Sequence, residues 1–210
     1  MKKSRLSLLL LVVALSAPMA HSSSIAILSF TNSTLAGHAN FDLAGYQFST
    51  ANAIDLTSLG MYVSRASLAD THAIGVYDLA GNLQFSGTVN AGAAPDGSGF
   101  TYVALPGGDI LSAGNWFIGA QYNQGSADQM FIGTGSITMA PGLTFLKAAV
   151  YFSGSPINLS DPAGTASLFT QSLPRDSYIG PNFTFLTVPE PSTYAMFVLG
   201  AAALVLKRRR

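Results

Sequence analysis

The residues around His72 are of types that could bind a metal ion. Asp70 precedes this histidine and Asp78 follows it, so an imidazole and two carboxylates could form a polar or metal-binding cluster. Ca²⁺ would suit such a group best, because the oxygen donors are numerous. The spacing matches no diagnostic metal motif, however, and a strand-end hydrogen bond with turn caps explains the same residues. We therefore expect no metal or other cofactor, with Ca²⁺ at Asp70, His72 and Asp78 as the alternative.

Aromatic side chains offer a second kind of chemistry, the stacking of rings on sugars. Six of them recur along the apolar stretches: Tyr46, Tyr62, Tyr77, Tyr102, Trp116 and Tyr122. Core and cross-strand packing explains the same residues, and it is the interpretation we favour. Exposure of these rings on one face of a sheet would instead favour a carbohydrate-binding module.

Hydrolytic chemistry has little support in the sequence. Ser98 lies in Gly-Ser-Gly but lacks the flanking residues of a nucleophile elbow. A glycosidase would need two paired carboxylic acids, and the only glutamate of the chain is Glu190, near the C-terminus. The absence of cysteine removes thiol nucleophiles, disulfides and thiolate zinc sites. We expect a protein that is not an enzyme and keep a hydrolase as the weakest alternative.

The elements that position these residues read as short strands. Apolar residues alternate with polar ones, turn signals recur every eight to twelve residues, and no helical period is visible between the termini. The clearest pair is an antiparallel hairpin of residues 72–77 and 83–89, joined by a turn that Asp78 opens. The pattern predicts an all-β protein, an antiparallel β-sandwich of jelly-roll type.

Several further strands are predicted in detail. We expect a first strand over residues 25–30, a loop over 32–40, and a small strand over 130–132. The run over 53–63 should bulge or bend near Ser58. The strand over 100–105 should end at Pro106, because proline lacks a backbone N–H.

The N-terminus has the features of a secretory signal peptide. Its positive region is formed by Lys2, Lys3 and Arg5, and the largely apolar residues 6–17 follow. Cleavage after Ser22 would put Ala20 and Ser22 at the small-residue positions, and cleavage after Ala20 is the alternative. We expect residues 1–22 to be removed and the folded domain to span residues 23–187.

Residues 188–210 form a tail with three parts in a fixed order. The prolines of Pro189-Glu190-Pro191 force an exposed, extended segment, which is what a processing enzyme needs to bind. Residues 194–206 are uncharged and suit a helix of about 20 Å, which is marginal for spanning a membrane. A cationic stop follows, consisting of Lys207, Arg208, Arg209 and Arg210. The tail therefore predicts a transmembrane helix with its end in the cytoplasm.

The neutral formal charge of the whole chain conceals an acidic segment between the two termini. It holds only three of the ten Lys and Arg residues but nine of the ten acidic residues, all Asp, so its formal charge is near −6. Such a domain has no basic patch, and we expect no nucleic-acid partner.

The order of the tail (Pro-Glu-Pro, apolar helix, Arg-rich end) resembles the PEP-CTERM sorting signal of Gram-negative bacteria. The resemblance implies an exosortase, a membrane-embedded cysteine transpeptidase, as the partner that cuts near Pro189, Glu190 and Pro191. It also implies an intermediate anchored in the inner membrane. The product would then reach the cell surface or an exopolysaccharide matrix.

The exported segment is itself similar to a β-sandwich domain of unknown function that is common in PEP-CTERM proteins. The similar residues include Gly45-Tyr-Gln-Phe, the strand His72–Tyr77 with Asp78, and Gly180-Pro-Asn-Phe. This resemblance implies a fold and no activity. We expect a structural or adhesive protein, with a carbohydrate-binding module that holds exopolysaccharide as the alternative.

Overall fold

The computed structural model of the chain describes residues 22–31, 33–36, 41–133, 135–153, 159 and 177–189. These residues form strands and turns, and no helix occurs among them. The strands in chain order are β1 Ser24–Ile25, β2 Ile27–Phe30, β3 Ser33–Ala36, β4 Phe41–Thr50, β5 Ile54–Tyr62, β6 His72–Tyr77, β7 Leu83–Val89, β8 Phe100–Leu111, β9 Gly114–Tyr122, β10 Met130–Gly133, β11 Ile137–Met139, β12 Leu143–Ser153, β13 Ser177–Ile179 and β14 Pro181–Thr187. The expectation of an all-β fold is confirmed.

Two large sheets and two small ones contain these strands. The five-stranded sheet has the order β12-β4-β9-β6-β7, and the four-stranded sheet has the order β1-β14-β5-β8. The small sheets have the orders β13-β10-β3 and β11-β2. Every pairing is antiparallel, as the period-two patterns predicted.

The core lies between the two large sheets. Leu56, Leu59 and Met61 of β5 are fully buried, and they belong to one apolar cluster with Tyr46 and Ile118 of the facing sheet. Rings from both sheets also meet in this layer, since the centroids of Phe48 and Phe183 lie 4.9 Å apart. The burial of this apolar surface is the main driving force for folding.

Three glycines pair side by side across the five-stranded sheet. Gly45 of β4 faces Gly119 of β9, and Gly119 faces Gly75 of β6. A methyl group on Gly75 would lie 2.6 Å from Cζ of Tyr77, and one on Gly119 would lie 2.9 Å from Cε1 of Phe117. Aromatic rings therefore lie directly on glycine backbone, which explains why large side chains are absent from this row.

A second apolar cluster covers that glycine row. Leu43, Tyr77 and Phe117 have no exposed surface, and they pack with Leu83 and with Leu159, a residue of the connection between β12 and β13. The five-stranded sheet is thus buried on both faces at this place. Burial on both faces explains why apolar residues do not simply alternate along β9.

The bulge predicted near Ser58 is present. Thr57 has no partner residue in the register of β5 with β8 or in that with β14. In the pairing with β8, the register shifts between Leu56 and Ser58. Because Thr57 is an extra residue, the alternation of side chains along β5 changes phase there. Leu59 and Met61 therefore face the core as Leu56 does.

The predicted end of a strand at Pro106 is wrong. β8 continues to Leu111, because Asp109, Ile110 and Leu111 pair again with β5. Pro106 lies where the ladder is interrupted opposite Thr57, so it removes no hydrogen bond from the sheet. The next two glycines have positive φ and absorb the extra length.

Two predictions for the N-terminal region also differ from the structure. The expected loop over residues 32–40 contains β3, which pairs with β10. The expected strand over residues 25–30 is divided at Ala26 into β1 and β2, which belong to different sheets. The buried Asn182 explains the division, because its Oδ1 accepts the N–H of Ile27 at 3.0 Å in place of a strand carbonyl.

The fully buried Tyr46 provides a test of the core. Its hydroxyl has no hydrogen-bond partner, and burial, with a contribution from Tyr102, raises its pKa well above the usual value. An unsatisfied buried hydroxyl costs stability, so Tyr46→Phe should raise the free energy of unfolding by about 1 kcal/mol. Chemical denaturation measures this change.

Tyr102→Phe is the matched control for that substitution. The hydroxyl of Tyr102 accepts a hydrogen bond from Nδ2 of Asn182 at 3.4 Å, so its removal should leave stability unchanged or lower it. Equal effects of the two substitutions would contradict an unsatisfied Tyr46 hydroxyl.

Candidate functional site

The tail begins where the last strand ends. β14 lies inside the four-stranded sheet between β1 and β5 and finishes at Thr187. The N–H of Val188 still donates to the carbonyl of Ala53 at 3.1 Å, and Val188 and Pro189 are half-buried. The first proline of the Pro-Glu-Pro segment is therefore held at the edge of the folded domain, with no linker before it.

Most residues of the predicted signal peptide and of the predicted C-terminal tail lie outside the described residues. This applies to Glu190, Pro191 and the transmembrane segment, to the cationic stop Lys207, Arg208, Arg209 and Arg210, and to Ala20 with the rest of the signal peptide. Ser22, the predicted last residue of that peptide, is exposed and precedes β1. Among the described residues, none belongs to a helix that is long and apolar enough to cross a membrane.

His72 lies at the start of β6 and is completely buried. Its Nδ1 lies 2.8 Å from the carbonyl oxygen of Gln121, and its Nε2 lies 2.8 Å from Oδ2 of Asp128. Both partners are acceptors when the carboxyl group is ionised. His72 thereby links β9 to the carboxylate of Asp128 through both of its ring nitrogens.

Asp128 is the centre of this cluster. Its carboxylate also accepts the backbone N–H of Ala69 at 2.9 Å and that of Asp70 at 2.8 Å. Burial raises the pKa of Asp128, but the hydrogen bonds from Ala69, His72 and Asp70, with the charge of His72, outweigh burial and lower the pKa. The carboxylate thereby joins the loop before β6 to the loop before β10.

The three predicted metal candidates are not brought together. Asp70 contributes its backbone N–H to Asp128, and both ring nitrogens of His72 are occupied by protein atoms. Asp78 lies beyond the other end of β6, about 20 Å along an extended strand. In the described part of the chain, no group of three or more His, Asp or Glu side chains could hold a metal ion.

Asp78 has the turn role that the sequence predicted. Its Oδ1 accepts the backbone N–H groups of Ala80 and Asn82, each at 2.9 Å, and its Oδ2 accepts Nδ2 of Asn82 at 2.8 Å. Burial raises the pKa of Asp78, but these hydrogen bonds and one from Gly81 together lower it. The carboxylate closes the β6–β7 hairpin.

Most of the candidate aromatic side chains are core residues. Tyr46, Tyr77 and Tyr122 have no exposed surface, and the half-buried Tyr62, Tyr102 and Trp116 pack against the main core. This burial agrees with core packing of the six rings.

Three half-buried rings do form one group. Phe131 lies 4.2 Å from Phe30 and 4.3 Å from Tyr62, measured between centroids. The rings are tilted by 52° and 55°, so they pack into one another and do not form a flat platform. The sequence interpretation missed Phe30 and Phe131, because nothing local distinguishes them from core residues.

The geometry thus defines an antiparallel all-β domain whose last strand leads directly into a C-terminal sorting segment. A family model described as the PEP-CTERM protein-sorting motif matches residues 187–210, so the chain carries that motif. The motif supports exosortase-dependent sorting of an exported protein. The comparisons with curated proteins and with solved structures found no match.

Proposed function

We propose that this chain is an exported, non-enzymatic β-sandwich protein of a Gram-negative bacterium with a structural or adhesive role. Its signal peptide, residues 1–22, would direct it across the inner membrane, and its apolar tail would anchor the intermediate there. An exosortase would then cut at Pro189, Glu190 and Pro191 and release the domain to the cell surface or extracellular matrix. The single observation that carries this proposal is the PEP-CTERM motif at residues 187–210.

The buried polar groups support a structural role over a catalytic one. In the described part of the chain, six polar or charged residues are buried, and each has a hydrogen-bond partner within the protein: Thr50, Ser58, His72, Ser126, Asp128 and Asn182. Groups that are occupied in this way hold loops and strands together. A hydrolase therefore remains the weakest candidate.

The intact mass of the protein from cell and medium fractions of the host tests the sorting step. We expect a species that begins near Ser23 and ends near Pro189 to Pro191, without the four C-terminal cations. Glu190→Ala should leave the tail attached, because it removes the only acidic residue of the motif. Thr187→Ala, two residues before the Pro-Glu-Pro segment at an exposed position, is the matched control and should be processed normally.

A mature species that still carries Lys207 to Arg210 would overturn the proposal and indicate a membrane-tethered protein. Equal processing of the Glu190→Ala and wild-type chains would show that the Pro-Glu-Pro segment is not what the enzyme recognises.

A carbohydrate-binding module is the second candidate, and one observation favours it. Phe30, Tyr62 and Phe131 form a contiguous, half-buried aromatic group, and part-exposed rings can stack on sugars. Affinity electrophoresis in a gel that contains the host exopolysaccharide would test it. Retardation that is lost in Tyr62→Ala but kept in Trp116→Ala would support binding at this group, and unretarded wild-type protein would exclude it.

A further inference from the structure

The two ends of the folded domain leave it side by side. β1 and β14 are antiparallel neighbours, with Ser24 opposite Phe185. The chain before β1 and the chain after β14 therefore lie at the same end of the four-stranded sheet, one strand spacing of about 4.8 Å apart. The exposed Ser22 and the half-buried Pro189 are both found at this end.

Three turns form the surface around these two ends. We call this surface the exit face, and it consists of residues 51–53, 112–113 and 140–142. The first turn accepts the N–H of Val188 at 3.1 Å, and its Ala51 donates to the carbonyl of Gly142 in the third turn at 2.9 Å. The second turn follows Leu111, which pairs with Ile54 at the start of β5. Hydrogen bonds and strand pairing thus hold the three turns beside the start of the tail.

The distribution of charge distinguishes the exit face from the opposite end of the sheets. Its three turns contain no charged residue, whereas Arg65, Asp70 and Asp96 lie in the connections at the other ends of β5 and β8. The hairpin turn of Asp78 joins β6 and β7, which are the last two strands of the five-stranded sheet. Anionic lipid headgroups repel acidic groups, so the exit face is the surface better suited to contact with them.

Trp116 lies beside the exit face. Its Nε1 donates to the carbonyl of Ser112 in the second turn at 3.0 Å, and its side chain is half-buried. The ring of tryptophan is apolar with one polar N–H, and this residue type is enriched where membrane and water meet. A position next to lipid headgroups would suit it.

Little chain separates the exit face from the predicted membrane segment. The bond of Val188 to the first turn holds the chain just before Pro189, and the apolar residues begin at Tyr194. The five peptide units between Pro189 and Tyr194 span at most about 18 Å. The headgroup layer covers about 5–8 Å of that distance. While the tail is uncut, the exit face would therefore stay within about 13 Å of the headgroups.

We propose that the exit face is the surface through which the uncut precursor lies on the lipid headgroups of the inner membrane. The short connection to the tail fixes this orientation, and cleavage of the tail ends it. The proposal rests on the proposed anchoring of the tail, but it concerns the orientation of the domain and does not require the cut.

Site-specific labelling tests the orientation, because the natural chain has no cysteine. Full-length Ser112→Cys protein, labelled with a small fluorophore, is reconstituted into vesicles of phosphatidylethanolamine and phosphatidylglycerol that carry a nitroxide quencher on the headgroup. Ala66→Cys, an exposed position in the connection after β5, is the matched control. The length of β5, about 30 Å, separates the two positions. Quenching at residue 112 should therefore be about threefold stronger than at residue 66.

Trp116 provides a second measurement without labelling, because it is the only tryptophan of the chain. Its fluorescence in the natural protein should be quenched by the same vesicles. The Trp116→Phe/Ala66→Trp protein, which moves the single tryptophan to the opposite end, should show about threefold weaker quenching.

Equal quenching at residues 112 and 66 of vesicle-bound protein would overturn the proposal, because the domain would then have no fixed orientation. Stronger quenching at residue 66 would overturn it by placing the opposite end on the membrane. Protein that does not float with the vesicles would contradict the anchoring itself, so the two proposals can be told apart. Circular dichroism of each variant confirms that the strands remain folded.

Discussion

Gly45→Ala should prevent the domain from reaching its native state. An added methyl group would lie 2.8 Å from Cα of Gly119 and would overlap the carbonyl oxygen of Ile118. Both obstacles are backbone atoms of β9, to which β4 is hydrogen-bonded along nine residue pairs, so neither can move without separating the strands. We expect a loss of at least ~4 kcal/mol, which is a large fraction of the stability of a typical domain.

The chain offers a matched control for this substitution. Gly97 has no atom within 4 Å of an added methyl group and no positive φ, so Gly97→Ala should leave stability almost unchanged. Thermal unfolding followed by circular dichroism compares the two variants with the natural protein. A Gly45→Ala protein that unfolds at the same temperature as the natural protein would show that β4 and β9 are not as close as the structure has them.

The hairpin of β6 and β7 shows what a sequence can predict. Its alternation and its Asp78 turn are local features, and the structure confirms both strands. The bulge near Ser58 was predictable for the same reason, because the apolar spacing changes phase within β5. The continuation of β8 past Pro106 was not predictable, because it depends on the distant β5 offering a gap in the ladder.

The order of strands within the sheets is harder to predict from the sequence than the positions of the strands. β14 lies between β1 and β5, and no local pattern indicates which strands will be neighbours across the whole chain. Asn182 illustrates the difficulty, because it bonds to Ile27, which is 155 residues away.

The candidate functional residues also differ in how readily the sequence reveals them. The PEP-CTERM motif is contiguous, so its order of prolines, apolar residues and cations could be read directly, and the family comparison confirms it. Asp128 was missed because it is 56 residues from His72. It lies in a polar loop sequence where a buried carboxylate looks like an exposed one.

Removal of the Asp128 carboxylate should have the second largest effect on the stability of the domain. Asp128→Ala removes the acceptor of the N–H groups of Ala69 and Asp70 and the partner of Nε2 of the buried His72. A hydrogen-bonding group left without its partner costs about 1–3 kcal/mol, so we expect the loss of these hydrogen bonds to cost about 3–5 kcal/mol in urea denaturation. Asp70→Asn is the control, because Asp70 enters the cluster only through its backbone.

A double-mutant cycle separates the pair from its surroundings. If His72 and Asp128 stabilise each other, the His72→Ala/Asp128→Ala protein should lose less stability than the two single variants lose in sum. Additive losses would mean that the two side chains act independently, which the 2.8 Å contact contradicts.

The pH dependence of stability gives an independent test of Asp128. Its pKa in the folded state is lower than the ordinary value of 3.8, so the folded state binds a proton less readily than the unfolded chain does. The stabilisation is therefore complete above about pH 3.8 and is lost as the pH falls through the lowered pKa. Asp128→Asn should remove this part of the acid dependence while keeping the shape of the side chain. An unchanged acid profile in that variant would show that the carboxylate is not held ionised by the hydrogen bonds from Ala69, His72 and Asp70.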